Sequence, residues 1–180
     1  VVVLDRSGSM SGSKKMEYAK KAIQSLVEQL SSQDRFALVT FDNLIEVPVA
    51  LKQINKSNKA SIIGTIQEIT PRGSTNLGGG LQKGMDILKS IKNTHAKRVI
   101  LISDGHANVG ITDVKSLGKM ASQAVPGEFV VSSIGVGLDF NESLLSHVAD
   151  FGTGSYYFLE KLAKLDDVLA KEFYGASQIL

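Results

Sequence analysis

An aspartate and two serines at alternate positions, Asp5, Ser7 and Ser9, stand directly after the apolar run Val1-Val2-Val3-Leu4. Along an extended segment Cβ atoms alternate sides, so oxygen-bearing side chains at i, i+2 and i+4 can face one ligand. A second carboxylate, Asp104, follows another apolar run in Ser103-Asp104-Gly105, and a further hydroxyl, Thr75, lies in Gly73-Ser74-Thr75-Asn76. Oxygen donors with no His or Cys among them suit Mg²⁺, Mn²⁺ or Ca²⁺ better than zinc or copper. Short neutral hydroxyls, few carboxylates and water match the near-octahedral demand of Mg²⁺, with oxygens at roughly 2.0–2.1 Å. With only Asp5 and Asp104 charged against a dication, the ion stays electrophilic and can accept a carboxylate from outside. A plainer role exists for the same residues. Asp and Ser favour hydrogen-bonded turns, so Asp5, Ser7 and Ser9 could cap the following helix, and Thr75 could cap another.

These residues need elements to bring them together. Apolar runs at 1–4, 36–41, 99–102 and 129–134 are short and continuous rather than alternating, as in strands covered on both faces. Stripes at helical spacing lie between them. Met16, Ala19, Ile23, Leu26, Val27 and Leu30 form the first, and Ile62, Ile63, Ile66 and Ile69 mark a helix over 57–69. Leu77, Leu81, Met85 and Leu88 follow Thr75, and a fourth helix begins after the N-cap candidate Asp113. Asn141 and Glu142 open a fifth, and a last helix is expected over 162–174, with a strand over 155–158 before it. The runs 36–41 and 45–50 are separated only by Asp42, Asn43 and Leu44, too few for a crossover helix, which predicts an antiparallel hairpin. The expected fold is α/β: a doubly wound, mostly parallel six-stranded sheet with one antiparallel edge strand and helices on both faces. In such sheets ligands collect outside the carboxyl ends of the strands, which is where Asp5 and Asp104 fall.

The order Asp5-x-Ser7-x-Ser9, then Thr75, then Asp104 resembles the metal-ion-dependent adhesion site of von Willebrand factor type A (VWA) domains, the family that includes integrin inserted domains. The resemblance extends over the whole chain, whose succession of strands, hairpin and helices fits that family's Rossmann-like fold. It implies direct contact with the ion by Ser7, Ser9 and, in the ligand-bound state, Thr75. Asp5 and Asp104 would then act mainly through water or hydrogen bonds. It further implies a protein partner whose acidic side chain completes the coordination sphere, and a last helix that shifts when coordination changes. The wording around Asp5 and Asp104 resembles bacterial and inter-alpha-trypsin-inhibitor-like members more than integrins. An extracytoplasmic or cell-surface location follows from the resemblance alone.

Composition narrows the remaining choices. A chain of 180 residues with 43% hydrophobic and 21% charged residues is expected to form one soluble domain, excised from a larger protein and monomeric by itself. The net charge of +2 comes from interleaved charges, so no nucleic-acid partner is expected; Lys14-Lys15 and Lys20-Lys21 read as the solvated face of a helix. No apolar run approaches the ~20 residues that span a bilayer, and no membrane contact by this domain is expected. The absence of cysteine removes disulfides, thiolate ligands and Cys catalysis. The competing function is a metal-dependent hydrolase or phosphatase. Such an enzyme wants an Asp nucleophile or base with a second carboxylate and a Lys nearby, whereas Ser7 stands two after Asp5 and Gly105 follows Asp104. No catalytic residue is therefore assigned. Arg6 and the three histidines are expected at the surface, Asp42 and Asn108 in turns, and Gly78-Gly79-Gly80 in close packing near the site.

Overall fold

The computed structural model describes residues 1–92 and 96–159, together with Lys164, Val168 and Glu172. The chain alternates β1 (Val2–Asp5), α1 (Lys15–Gln29), β2 (Arg35–Phe41), β3 (Ile45–Gln53), α2 (Lys56–Gln67), α3 (Leu77–Lys89), β4 (Arg98–Ser103), α4 (Val114–Ala121), β5 (Val130–Val136), α5 (Glu142–Phe151) and β6 (Thr153–Leu159). The six strands form one sheet in the order β3-β2-β1-β4-β5-β6. All neighbours are parallel except β2 and β3, whose antiparallel pairing places β3 at an edge. The expected architecture is thus the observed one. Glu46, Pro48 and Lys52 stand exposed along β3, and such residues blunt an edge against further pairing.

Alternation along each strand divides the core in two. Val2, Leu4, Leu38, Ile100, Ile102 and Ile134 meet the buried faces of α1 and α2. Val3, Val39, Phe41, Val99, Leu101 and Val131 meet α3, α4 and α5 on the other side. Asn55, Asn76, Asp113 and Asn141 each accept a backbone N–H at the start of their helices, so α2, α3, α4 and α5 are fixed by side-chain caps. The cap of α3 is Asn76, and Thr75 is left free of that task. A Cβ at Gly80 would lie 2.4 Å from the ring of Phe41, which lets α3 sit close on the sheet as expected of the glycine run.

One expectation needs revision. α1 begins one residue before its apolar stripe, after Ser13 and Lys14 turn through left-handed conformations with φ of 51° and 59°. That turn swings Lys15 inward, and it is buried rather than solvated. Most of the last predicted helix, 162–174, lies outside the described residues, as does His95; Val168 is buried with the α1 cluster.

From β1 the chain moves outward to β2 and β3, then returns to the other side of β1 as β4. The order therefore reverses between β1 and β4, and the carboxyl ends of these two strands carry Asp5 and Asp104.

Candidate metal centre at the strand-order reversal

Asp5 is fully buried at the end of β1, and protein donors take both of its oxygens. The Ser7 N–H donates to Oδ1 at 2.8 Å, and the Ser103 hydroxyl donates to Oδ2 at 2.6 Å. Ser103 Oγ in turn accepts the Gly105 N–H at 2.8 Å. Burial pushes the Asp5 carboxyl up to about 6; the bonds from Ser103 and Ser7 oppose that rise, and the nearby Asp104 adds to it.

Beyond Ser7 the chain leaves strand geometry. Gly8–Ser11 form a 3-10 turn pinned by buried Met10, so Ser9 reaches Ser7 by a helical turn and not by strand alternation. The result is nonetheless a pair of hydroxyls on one side, Ser7 Oγ and Ser9 Oγ, 3.0 Å apart.

The loop before α3 is laid against this turn. The Gly8 N–H donates to Gly73 O at 3.0 Å and the Arg72 N–H to Arg6 O at 2.7 Å. Thr75, 2% exposed, is held from the β4–α4 loop: its N–H donates to Asn108 Oδ1 at 2.8 Å, and its carbonyl accepts the N–H groups of Asn108 and Val109 at 3.1 Å each. Asn108 is therefore more than a turn residue; it positions Thr75. Asp104, also fully buried, accepts the His106 N–H on Oδ1 at 3.2 Å and the Lys15 ammonium on Oδ2 at 3.0 Å, while its carbonyl accepts the Asn141 N–H. Lys15 has a second partner, Asp139 Oδ1, at 2.8 Å. Burial works against the Lys15 ammonium, but Asp139 and Asp104 outweigh it and raise its pKa above the usual lysine value.

Arg6 points away from the hydroxyl pair, as alternation requires, yet it is not at the surface. Its side chain is 12% exposed and bonds Glu46 Oε2 at 3.1 Å, with Asp42 Oδ2 at 3.7 Å. Arg72 joins the same two carboxylates at 2.6 and 2.9 Å, so the Ser7 loop, the β2–β3 turn and the loop before α3 are tied together. Asp42 also accepts the Leu44 N–H at 2.6 Å, keeping its expected turn role. His106 is exposed, and its ring meets the Asp139 carbonyl; His147 packs on Phe151 within α5.

The donor chemistry fits a hard dication. Two oxygens bound at 90° to an ion with roughly 2.0–2.1 Å bonds lie about 2.9 Å apart, close to the Ser7–Ser9 separation. Each oxygen of both carboxylates already accepts one protein donor and keeps capacity for a water, which suits a role through water. Among the described residues no three His, Cys, Asp or Glu side chains gather as a metal-holding group. Ser103, Lys15 and Asp139 belong to the site's surroundings without having been singled out for that role from sequence, and Asn108, for which a supporting role was the alternative to a turn, holds Thr75. Only Ser103, beside Asp104 at a strand end, carried a local signal.

The chain matches the von Willebrand factor type A domain family over residues 1–171, and it belongs to that family. It is 33% identical over 174 residues to the uncharacterized protein YfbK of Escherichia coli (strain K12), covering 96% of this chain and 30% of that protein. It is 29% identical over 189 residues to human inter-alpha-trypsin inhibitor heavy chain H4, covering 98% of this chain and 18% of that one. The chain thus spans less than a third of each of these two relatives. Among solved structures, proximal thread matrix protein 1 of the mussel byssus, with a zinc-occupied MIDAS motif, superposes with a TM-score of 0.76 at 25% identity, over 97% of this chain and 44% of that one. No helix among the described residues is long and apolar enough to cross a membrane.

Proposed function

We propose that this domain is a cation-dependent protein-binding module. Ser7, Ser9 and Thr75 hold Mg²⁺, or Mn²⁺ or Ca²⁺ in its place, through their hydroxyls, while Asp5 and Asp104 act through water or hydrogen bonds. The bound ion supplies an electrophilic position for the Asp or Glu carboxylate of a partner protein. The convergence of the hydrogen-bonded Ser7 and Ser9 hydroxyls, 3.0 Å apart, at the strand-order reversal between two buried carboxylates carries this reading. Family membership supports a protein-interaction role, and a relative solved with zinc in its MIDAS motif supports occupancy by a divalent ion. A bacterial-type affiliation and an extracytoplasmic or cell-surface location are part of this proposal; the E. coli relative supports the first and the byssal matrix protein the second.

Titration calorimetry with MgCl₂ and MnCl₂ tests the site: one divalent ion should bind, and the double substitution Ser7→Ala, Ser9→Ala should abolish binding without unfolding the domain. Acetate should then lower the water-proton relaxivity of the Mn²⁺ form by displacing a bound water. No divalent binding by the intact domain would overturn the proposal, and an acetate-insensitive Mn²⁺ form would overturn its carboxylate-accepting part.

A further inference from the structure

Lys15 is a buried cation that the proposed function does not use. Its side chain is 3% exposed, and its ammonium lies 3.0 Å from Asp104 Oδ2 and 2.8 Å from Asp139 Oδ1. The aliphatic stem runs over Gly137, where φ is +89° and a Cβ would fall 2.5 Å from Lys15 Cε. Two left-handed residues, Ser13 and Lys14, and a glycine at positive φ are thus all present where the lysine enters. Burying an ammonium beside a carboxylate is a costly way merely to orient that carboxylate, because desolvation offsets much of the attraction. Asp104 already has the His106 N–H for that purpose.

We infer that Lys15 is a built-in counter-cation that competes with the metal for Asp104 and holds the site's cation affinity low. The inference rests on the metal reading of Ser7, Ser9 and Thr75. In the metal-free domain the ammonium neutralises Asp104 within a buried site. When a dication enters, the same ammonium repels it, so only one of the two buried carboxylates remains uncompensated. With Asp139 counted, the three carboxylates Asp5, Asp104 and Asp139 balance Lys15 and the dication, so the ammonium keeps the loaded site from carrying the net negative charge that would repel an acidic side chain arriving from outside. Asp139, 73% exposed, offsets part of the ammonium's charge and moderates the repulsion.

The test compares the intact domain with Lys15→Met, which keeps the stem and removes the charge, and with Asp139→Asn, at an exposed position where folding is not at stake. Coulomb's law puts two unit charges about 4 Å apart at about 1 kcal/mol even at the dielectric of water, and a dication doubles that, so an effect of about tenfold survives at a somewhat larger separation. Calorimetry with MnCl₂ should therefore show Lys15→Met binding about tenfold tighter or more, and Asp139→Asn binding more weakly. In EDTA, Lys15→Met should melt below the intact domain, and Mn²⁺ should raise its melting temperature by more. Weaker or unchanged Mn²⁺ binding by Lys15→Met, while the intact domain binds, overturns the counter-cation and leaves the metal reading standing. No binding by either overturns both. If Lys15→Met does not fold without metal, the sign for Asp139→Asn decides: equal or tighter binding overturns the inference.

Discussion

Asp5→Asn is expected to stabilise the metal-free domain near neutral pH while removing its stabilisation by Mg²⁺. Burial raises the Asp5 carboxyl from 3.8 to about 6. Because the folded-state pKa lies above the unfolded one, the folded protein holds this proton more tightly. Its contribution to stability is complete below about pH 4 and is lost as pH rises through about 6. A shift of about two units corresponds to roughly 3 kcal/mol near neutral pH. Asparagine cannot ionise and escapes that loss. Its amide keeps an oxygen for the Ser7 N–H, but it cannot accept the Ser103 hydroxyl as the carboxylate does, which costs about 1 kcal/mol.

The net gain of about 2 kcal/mol should raise the melting temperature by roughly 4–8 °C in a domain of this size. Thermal unfolding in EDTA across the acid-to-neutral range reads this directly, with the variant's advantage shrinking as pH falls and reversing once Asp5 is protonated. In the intact domain, Mg²⁺ at about a hundred times its dissociation constant should add roughly 2.7 kcal/mol. In the variant that increment should fall away, since the carboxylate that would engage the ion through water is gone. An Asn variant less stable than the intact domain in EDTA near neutral pH, or one with an undiminished Mg²⁺ increment, would refute this account of Asp5.

Thr75→Ala removes only the hydroxyl and leaves the backbone bonds to Asn108 and Val109, so the unfolding free energy from urea titration should fall by less than about 1 kcal/mol while Mn²⁺ affinity in calorimetry falls several-fold. For Asp42, burial is outweighed by the Arg72 hydrogen bond and its carboxyl is held below the usual range; a depressed folded-state pKa gives stability that is present above the unfolded pKa and lost on acidification. Arg72→Ala should therefore lower the urea midpoint near neutral pH, with the difference from the intact domain shrinking as pH falls below the carboxylate range. Gly80→Ala brings a methyl group within 2.4 Å of the Phe41 ring; overpacking of about 1–3 kcal/mol should outweigh the roughly 1 kcal/mol gained in helix propensity, as urea unfolding would show.

The contrast between Asp104 and Lys15 shows what could be seen from the amino-acid order. Asp5, Asp104 and the hairpin at Asp42 were legible because each depends on local facts: an apolar run that must be a buried strand, a polar residue that ends it, and a connection too short for a helix. The six-stranded order follows from the same periodicities. Lys15 obeys no such local rule. Beside Lys14 it looks like half of a solvated pair, and only the left-handed turn at Ser13 and Lys14 rotates it from the solvent face towards Asp104. Its second partner, Asp139, comes from a distant loop and is set by the β4–β5 pairing. Asn108 escaped for a related reason, since an exposed loop asparagine shows its role only once its amide is seen to accept the Thr75 N–H. The candidate ligand residues are thus marked by type and spacing, whereas the residues packed around them are marked by where tertiary packing turns them. Lys15 is of the second kind, and its presence beside Asp104 is knowable only from the fold.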